Sequence, residues 1–184
     1  MDELARQFLH MIFGGLLILF GLAAGRSELL LLLCVLAACG LVLTQLKFQK
    51  FKLPVIDGFL VFLDRNEKIP ARGGLSYVSG VLFLVAASNF NFALGVIAIL
   101  AFGDGMATVV GISGKHRLPY NKKKTFEGLV AFNLAAIASS MFFLGLEQAV
   151  LYSLIFSVIE SIDSKVDDNL LIPFSGVVLK ALLK

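Results

Sequence analysis

Residues 29–46 run eighteen positions without one charged side chain, and the chain contains several stretches of this kind. A run of that length matches the roughly 18 to 20 apolar residues that carry a helix across a bilayer. Within a bilayer each backbone N–H and C=O must find its partner inside the protein, and an apolar run does so by coiling into a helix. Hydropathy predicts helices near residues 7–24, 29–46, 75–88, 92–112, 128–146 and 148–162. A seventh, near 170–183, is short for a full span. The mixed segment between the second and third helices contains a stretch at 55–63 suited to lying in the membrane interface.

Composition points the same way. The chain is 58% hydrophobic and 16% charged, and its mean hydropathy is +0.90. These values exclude an ordinary soluble domain. The expected fold is all-α: a single polytopic integral membrane domain over residues 1–184, without internal repeats or low-complexity tracts. Cys34 and Cys39 are too few for a zinc site or a disulfide framework and read as small residues of an apolar helix. Asp2 and Glu3 make the leading segment acidic where a secretory signal would be basic, so the first helix is expected to be retained.

Charge then sets an expected topology. Lys47, Lys50, Lys52, Arg65, Lys68 and Arg72 follow the second helix; Lys115, Arg117, Lys122, Lys123 and Lys124 follow the fourth. The positive-inside rule places both loops in the cytoplasm, together with the N-terminus and Arg6. Lys165 joins them, so thirteen of the sixteen Lys and Arg residues lie inside, and Arg26, Lys180 and Lys184 lie outside. One consequence is chemical: a basic loop and an acidic loop are forced onto the same membrane face.

Three polar groups stand out against this background. Asp104 falls within the fourth apolar segment, where a carboxylate is costly and is functional by default. Gly103 and Gly105 beside it allow the helix to break locally or another backbone to come close, and Thr108 and Gly111 extend a small polar stripe. Packing, with Asp104 as a cap, is the alternative reading. After Gly111 and Gly114, whose turns offer backbone N–H groups to phosphate oxygens, comes the basic run, which read alone serves topology. Thr125 fits the N-cap of the fifth helix. Glu127, at the second helical position, either favours the helix dipole or holds a lysine in place for an anion. Last come Glu160, Asp163, Asp167, Asp168 and Asn169. The first three of these acids share a face if the sixth helix extends far enough. All-oxygen donors suit a hard ion such as Mg²⁺; a solvated loop with Asp168 or Asn169 capping the last helix is the other reading. Arg6 and His10 share one face of the first helix, with His10 either a packing residue or a base.

The order Asp104-x-x-Ala107-x-x-x-Gly111-x-x-Gly114, Lys124-Thr125-Phe126-Glu127-Gly128 and Asp167-Asp168-Asn169-x-x-x-Pro173 resembles the polyprenol kinase family. That family includes dolichol kinase, phytol kinase and the CTP-dependent diacylglycerol kinase of fungi. The pair Arg6 and His10, and Arg65-x-Glu67 with Gly74-x-x-Tyr77, resemble further positions; Leu129 departs from the serine often found there. The resemblance implies a small helical membrane enzyme that phosphorylates a lipid alcohol with CTP and a divalent metal. The expected catalytic groups are Asp104, Lys124, Glu127, Asp168 and His10. Expected nucleotide contacts are Gly111, Gly114, Lys115, Arg117, Lys122, Lys123, Lys124 and Thr125. Expected metal ligands are Asp104, Glu160, Asp167 and Asp168, for Mg²⁺.

The expected partners are a lipid alcohol, a nucleoside triphosphate and bilayer lipid, with no nucleic acid; the oligomeric state is open, a homo-oligomer included. The alternatives are a CDP-lipid synthase of the phosphatidate cytidylyltransferase type and a small transporter using Asp104 as an ion site. The first would carry Lys-Asp, His-Gly-Gly and Asp-Arg motifs, none of which follows Glu127. The second would place polar groups on both faces.

Overall fold

The computed structural model describes residues 3–49, 72–164 and 166–182, which form seven helices and no strand. They are α1 (Glu3–Ala24), α2 (Arg26–Phe48), α3 (Arg72–Ala87), α4 (Phe90–Ser113), α5 (Phe126–Leu144), α6 (Leu146–Ser161) and α7 (Asp168–Leu182). Each corresponds to a predicted helix, with Glu3 against an expected start at 7 the largest difference in any boundary. The predicted interfacial stretch at 55–63, with Arg65 and Glu67, lies outside the described residues. So do Lys50, Lys52, Lys68, Lys165 and Lys184.

Four helices, α1, α2, α4 and α5, are long and apolar enough to cross a membrane. The other three have 16, 16 and 15 residues, which at 1.5 Å per residue gives about 24 Å, short of a ~30 Å hydrocarbon core. α4 is the central helix: every residue from Phe92 to Ala101 is buried. A helix apolar on all sides belongs in an interior, and α1, α3 and α5 pack around it, with α2 outside on α1 and α3. α6 and α7 close the opposite side against α5 and α3. The outward faces keep large apolar side chains exposed, among them Leu31, Leu134 and Phe142, and Cys34 and Cys39 are exposed on α2.

Two details position the site. First, α4 does not break at Gly103 and Gly105 as the sequence allowed. It widens instead into a π turn over Ile99–Asp104, a local form frequent at functional sites. The glycines serve close approach: a Cβ at Gly105 would stand 2.5 Å from Met11 of α1, and one at Gly103 would stand 3.1 Å from Phe132 of α5. Asp104 is thus the last residue of a widened turn gripped from both sides. Second, α6 ends at Ser161, so Glu160, Asp163 and Asp167 do not share a continuous helical face. The chain turns there, and the acids go to different partners.

At the other end of the bundle the joints are minimal. Gly25, at φ 104°, alone separates α1 from α2, and Gly145, at φ 76°, alone separates α5 from α6; both lie in a region that favours glycine. Arg26 donates from Nε to the Val85 carbonyl at 3.1 Å and from Nη2 to that of Ala86 at 3.0 Å. It thereby closes the C-terminal end of α3, which accounts for a cation standing apart from the basic loops.

Candidate functional site

The last turn of α6, the first turn of α7 and the π turn of α4 meet at one end of the bundle. Glu160, Asp168 and Asp104 each bring a carboxylate oxygen there, all within 4.8 Å of one another. Glu160 is buried and the other two are half-buried. Lys124, reaching in from the loop after α4, forms an ion pair with Glu160. Burial pushes the Lys124 ammonium down, but Glu160, Asp104 and Asp168 together outweigh it and hold the amine above the ordinary lysine value. Burial, followed by the charge of Asp104, pushes Asp168 up to about 7; this residue lies outside the four long apolar helices.

Three crowded carboxylates face one ammonium, an arrangement that a further cation would stabilise. Hard oxygen donors from three separate helices, with no His or Cys among them, fit a divalent ion such as Mg²⁺. Asp104, Glu160 and Asp168 would be its protein ligands.

Beside the acids lies a cavity of about 420 Å³, walled by Thr108 and Gly111 of α4, by Arg117, Lys123, Lys124 and Thr125, and by Glu160. Its basic wall is a closed turn. Leu118 N–H donates to the Lys124 carbonyl at 3.0 Å and Phe126 N–H to that of His116 at 2.9 Å, so the loop doubles back on itself. Asn121 pins it to α6. Its Nδ2 donates to the Ser161 carbonyl at 2.8 Å, its Oδ1 accepts from Lys123 N–H at 3.0 Å, and the neighbouring Tyr120 hydroxyl lies 2.8 Å from Ser161 Oγ. Lys123 then reaches Asp163 at 3.0 Å.

The Lys-Thr-Phe-Glu-Gly run seats this turn on α4. Thr125 caps α5 by accepting from Gly128 N–H at 3.1 Å. A Cβ at Gly128 would come within 2.7 Å of the Ala107 carbonyl, and one at Gly114 within 2.6 Å of Thr125 Oγ1; glycine at both positions is what lets the segments touch. Glu127 faces the loop backbone. It accepts from the N–H groups of Lys115 at 3.0 Å and His116 at 3.2 Å, and its Oε1 lies 2.7 Å from His116 Nδ1.

The structure therefore brings Asp104, Glu160, Asp168 and Lys124 into one cluster, with Arg117, Lys123, Thr125 and Gly111 on the adjoining cavity. Other expected site residues stand elsewhere. Glu127 braces the turn through the Lys115 and His116 N–H groups, and among the described residues it pairs with no lysine ammonium. Gly114 N–H, in the turn expected to face phosphate, donates to the Gly111 carbonyl at 3.1 Å. Asp167 caps α7, its Oδ1 accepting from Asn169 N–H at 3.0 Å, a role the sequence offered to Asp168 or Asn169. Lys115 and Lys122 are exposed and do not line the cavity. Gly114 packs under Thr125. His10 sits on α1 against Tyr77 of α3, ring centroids 4.7 Å apart, and Arg6 pairs with Glu3.

Sequence reasoning overlooked the anchoring by Tyr120, Asn121 and Ser161. Its signal was Pro119-Tyr120-Asn121, a turn whose Asn accepts from the backbone two residues on.

Comparison with known proteins adds relatives to this geometry. No protein-family model and no solved structure matches the chain. An uncharacterized protein of Methanocaldococcus jannaschii is 32% identical over 177 residues, which is 95% of this chain and 90% of that protein. Farnesol kinase, chloroplastic, of Arabidopsis thaliana is 32% identical over 139 residues, covering 65% of this chain and 45% of that protein. The Glycine max protein named Probable phytol kinase 3, chloroplastic, is 30% identical over 141 residues, covering 66% and 44%. The chain thus spans less than half the length of these plant relatives.

Proposed function

The chain belongs to one family with the uncharacterized Methanocaldococcus jannaschii protein, and from that premise, together with its likeness to the plant farnesol and phytol kinases, we propose that it is a membrane lipid kinase. It transfers the γ-phosphoryl group of a nucleoside triphosphate to the hydroxyl of a lipid alcohol. The observation that carries this reading is one juxtaposition. An all-carboxylate cluster able to take a divalent ion adjoins a cavity with Arg117, Lys123 and Lys124 on its wall. Phosphoryl transfer asks little covalent work of a protein; it needs the triphosphate held in line and its charge neutralised.

In this reading Lys124, Arg117 and Lys123 bind the phosphate oxygens, and Lys124 is steered by Glu160. Mg²⁺ held by Asp104, Glu160 and Asp168 supplies further neutralisation of the phosphates. CTP is the proposed donor on family resemblance. The acceptor is a lipid alcohol, a prenol such as farnesol, phytol or dolichol ahead of diacylglycerol. The apolar tail stays among the helices while the hydroxyl meets the acids at the membrane surface.

A matrix of four nucleotides against these alcohols on the purified protein, with mass spectrometry of the lipid product, tests the proposal. A phosphorylated alcohol is the expected product. A CDP-lipid with release of pyrophosphate replaces the kinase with a cytidylyltransferase.

The positive-inside distribution supports a cytoplasmic site in an integral membrane protein. In a background lacking Cys34 and Cys39, Ser113→Cys and Ser164→Cys should react with an impermeant thiol reagent from the cytoplasm alone. Asn91→Cys, at the other end of α4, should react from the opposite side. Labelling of positions 113 and 164 from different faces would dismantle the composite site.

A further inference from the structure

Five buried side-chain atoms among the described residues have no hydrogen-bond partner: His10 Nε2, Tyr77 OH, Asn133 Oδ1, Ser153 Oγ and Asn169 Oδ1. Each is costly to leave unpaired. Two of them lie together. The rings of His10, on α1, and Tyr77, on α3, meet edge to face at 4.7 Å, and each ring carries one of the unpartnered atoms. Tyr77 is 3% exposed, and its hydroxyl sits so tightly against α1 that a Cβ at Gly14 would stand 2.8 Å from it. The same Gly14 lies against Ala101, one turn before Asp104 on α4, and Met11, next to His10, packs on Gly105, next to Asp104. The pair thus stands where α1 and α3 meet the π turn of α4 that carries Asp104.

We propose that Tyr77 and His10 form the subsite for the acceptor hydroxyl. An alcohol oxygen carries one donor and two acceptor positions on one atom, and this pair complements both. The Tyr77 hydroxyl donates to the alcohol oxygen, and the alcohol donates to His10 Nε2. When the alcohol oxygen bonds to the γ-phosphorus, the bridging bond to the β-phosphate breaks and its electron pair leaves with the diphosphate. The alcohol's proton passes to His10 Nε2. An ether oxygen has no proton to donate to His10, so the subsite selects free alcohols over ethers. The inference rests on the lipid-alcohol reading above and names the residues that would enforce it.

The test measures binding apart from turnover. Farnesol and its methyl ether compete for the purified wild-type protein without nucleotide, and the alcohol should bind about tenfold or more tightly. Tyr77→Phe keeps the ring and removes the hydroxyl; it should bring the two ligands to within about twofold, raise the KM for the alcohol and leave the KM for nucleotide unchanged. Phe13→Leu alters the packing of the same ring, which lies 5.7 Å from Tyr77, and should preserve the preference. An unchanged preference in Tyr77→Phe, or no preference in the wild type, overturns the subsite. A preference that depends on Tyr77 in a protein that phosphorylates no alcohol upholds the subsite and removes the kinase.

Discussion

Asp104→Asn should lower turnover by at least about a hundredfold while leaving the protein as resistant to heat as the wild type, or more so. The two effects separate because Asp104 is a burden on the metal-free fold. Its carboxylate adds to the burial that already penalises Asp168, so removing its charge relieves repulsion. What is lost is one of three oxygen donors converging within 4.8 Å. A ligand that binds the native state alone stabilises it, by ~2.7 kcal/mol at a hundredfold excess over Kd. Added Mg²⁺ should accordingly raise the Tm of the wild type and not of the variant, and EDTA should abolish wild-type activity until Mg²⁺ is restored. Full turnover in Asp104→Asn would remove this residue from the chemistry.

Gly80→Ala should be the most damaging single methyl added to the fold. Its Cβ would stand 2.2 Å from the Asn169 carbonyl oxygen and 3.1 Å from Pro173 Cγ. Pro173 lies inside α7 and has no N–H to offer the carbonyl four residues earlier, which leaves Asn169 O directed at α3. Neither the backbone nor the ring yields easily, so α7 must move away, at a cost of about 1–3 kcal/mol. Asp168 precedes Asn169, and the Mg²⁺-dependent rise in Tm should weaken along with stability. Gly74→Ala on the same helix meets nothing within 4 Å and should be neutral or stabilise by up to about 1 kcal/mol through helix propensity. Equal Tm values for the two variants would contradict the packing described between α3 and α7.

These two experiments bear on features of differing legibility. Helix positions were readable because an apolar run must satisfy its own backbone, and no neighbour is needed to say so. The basic turn was readable as a cluster, yet its internal partners were not. Glu127 looked like a companion of the lysines because it follows them closely, and Lys124 instead pairs with Glu160, thirty-six residues away. The acids after α6 were grouped by helical spacing, which required α6 to continue beyond Ser161. Once it ends there, Asp163 goes to Lys123, Asp167 to the cap of α7, and Asp168 to Asp104. Nothing in the local sequence distinguishes the last two, since adjacent aspartates in a helix's first turn differ only in the direction each faces. The π turn was equally silent, its cause being the grip of Met11 and Phe132 on either side of Asp104.

The one-residue joints at Gly25 and Gly145 carry a consequence for how such a chain is made. On the proposed membrane reading, a joint that short leaves no length for α1 to settle in the bilayer before α2, or α5 before the shorter α6, so each pair enters as a hairpin, its two helices already side by side. With the partner helix present from the start, the far end of each hairpin has few charges to carry across, Arg26 and Glu28 on one and Glu147 on the other. The positive-inside rule would keep the cations of the flanking loops on the side where synthesis occurs. On the proposed topology, orientation is then decided twice, once per hairpin, and both decisions deliver the same face to the site. The central helix α4, buried throughout from Phe92 to Ala101, is placed between them and gains its surroundings only when the hairpins close around it.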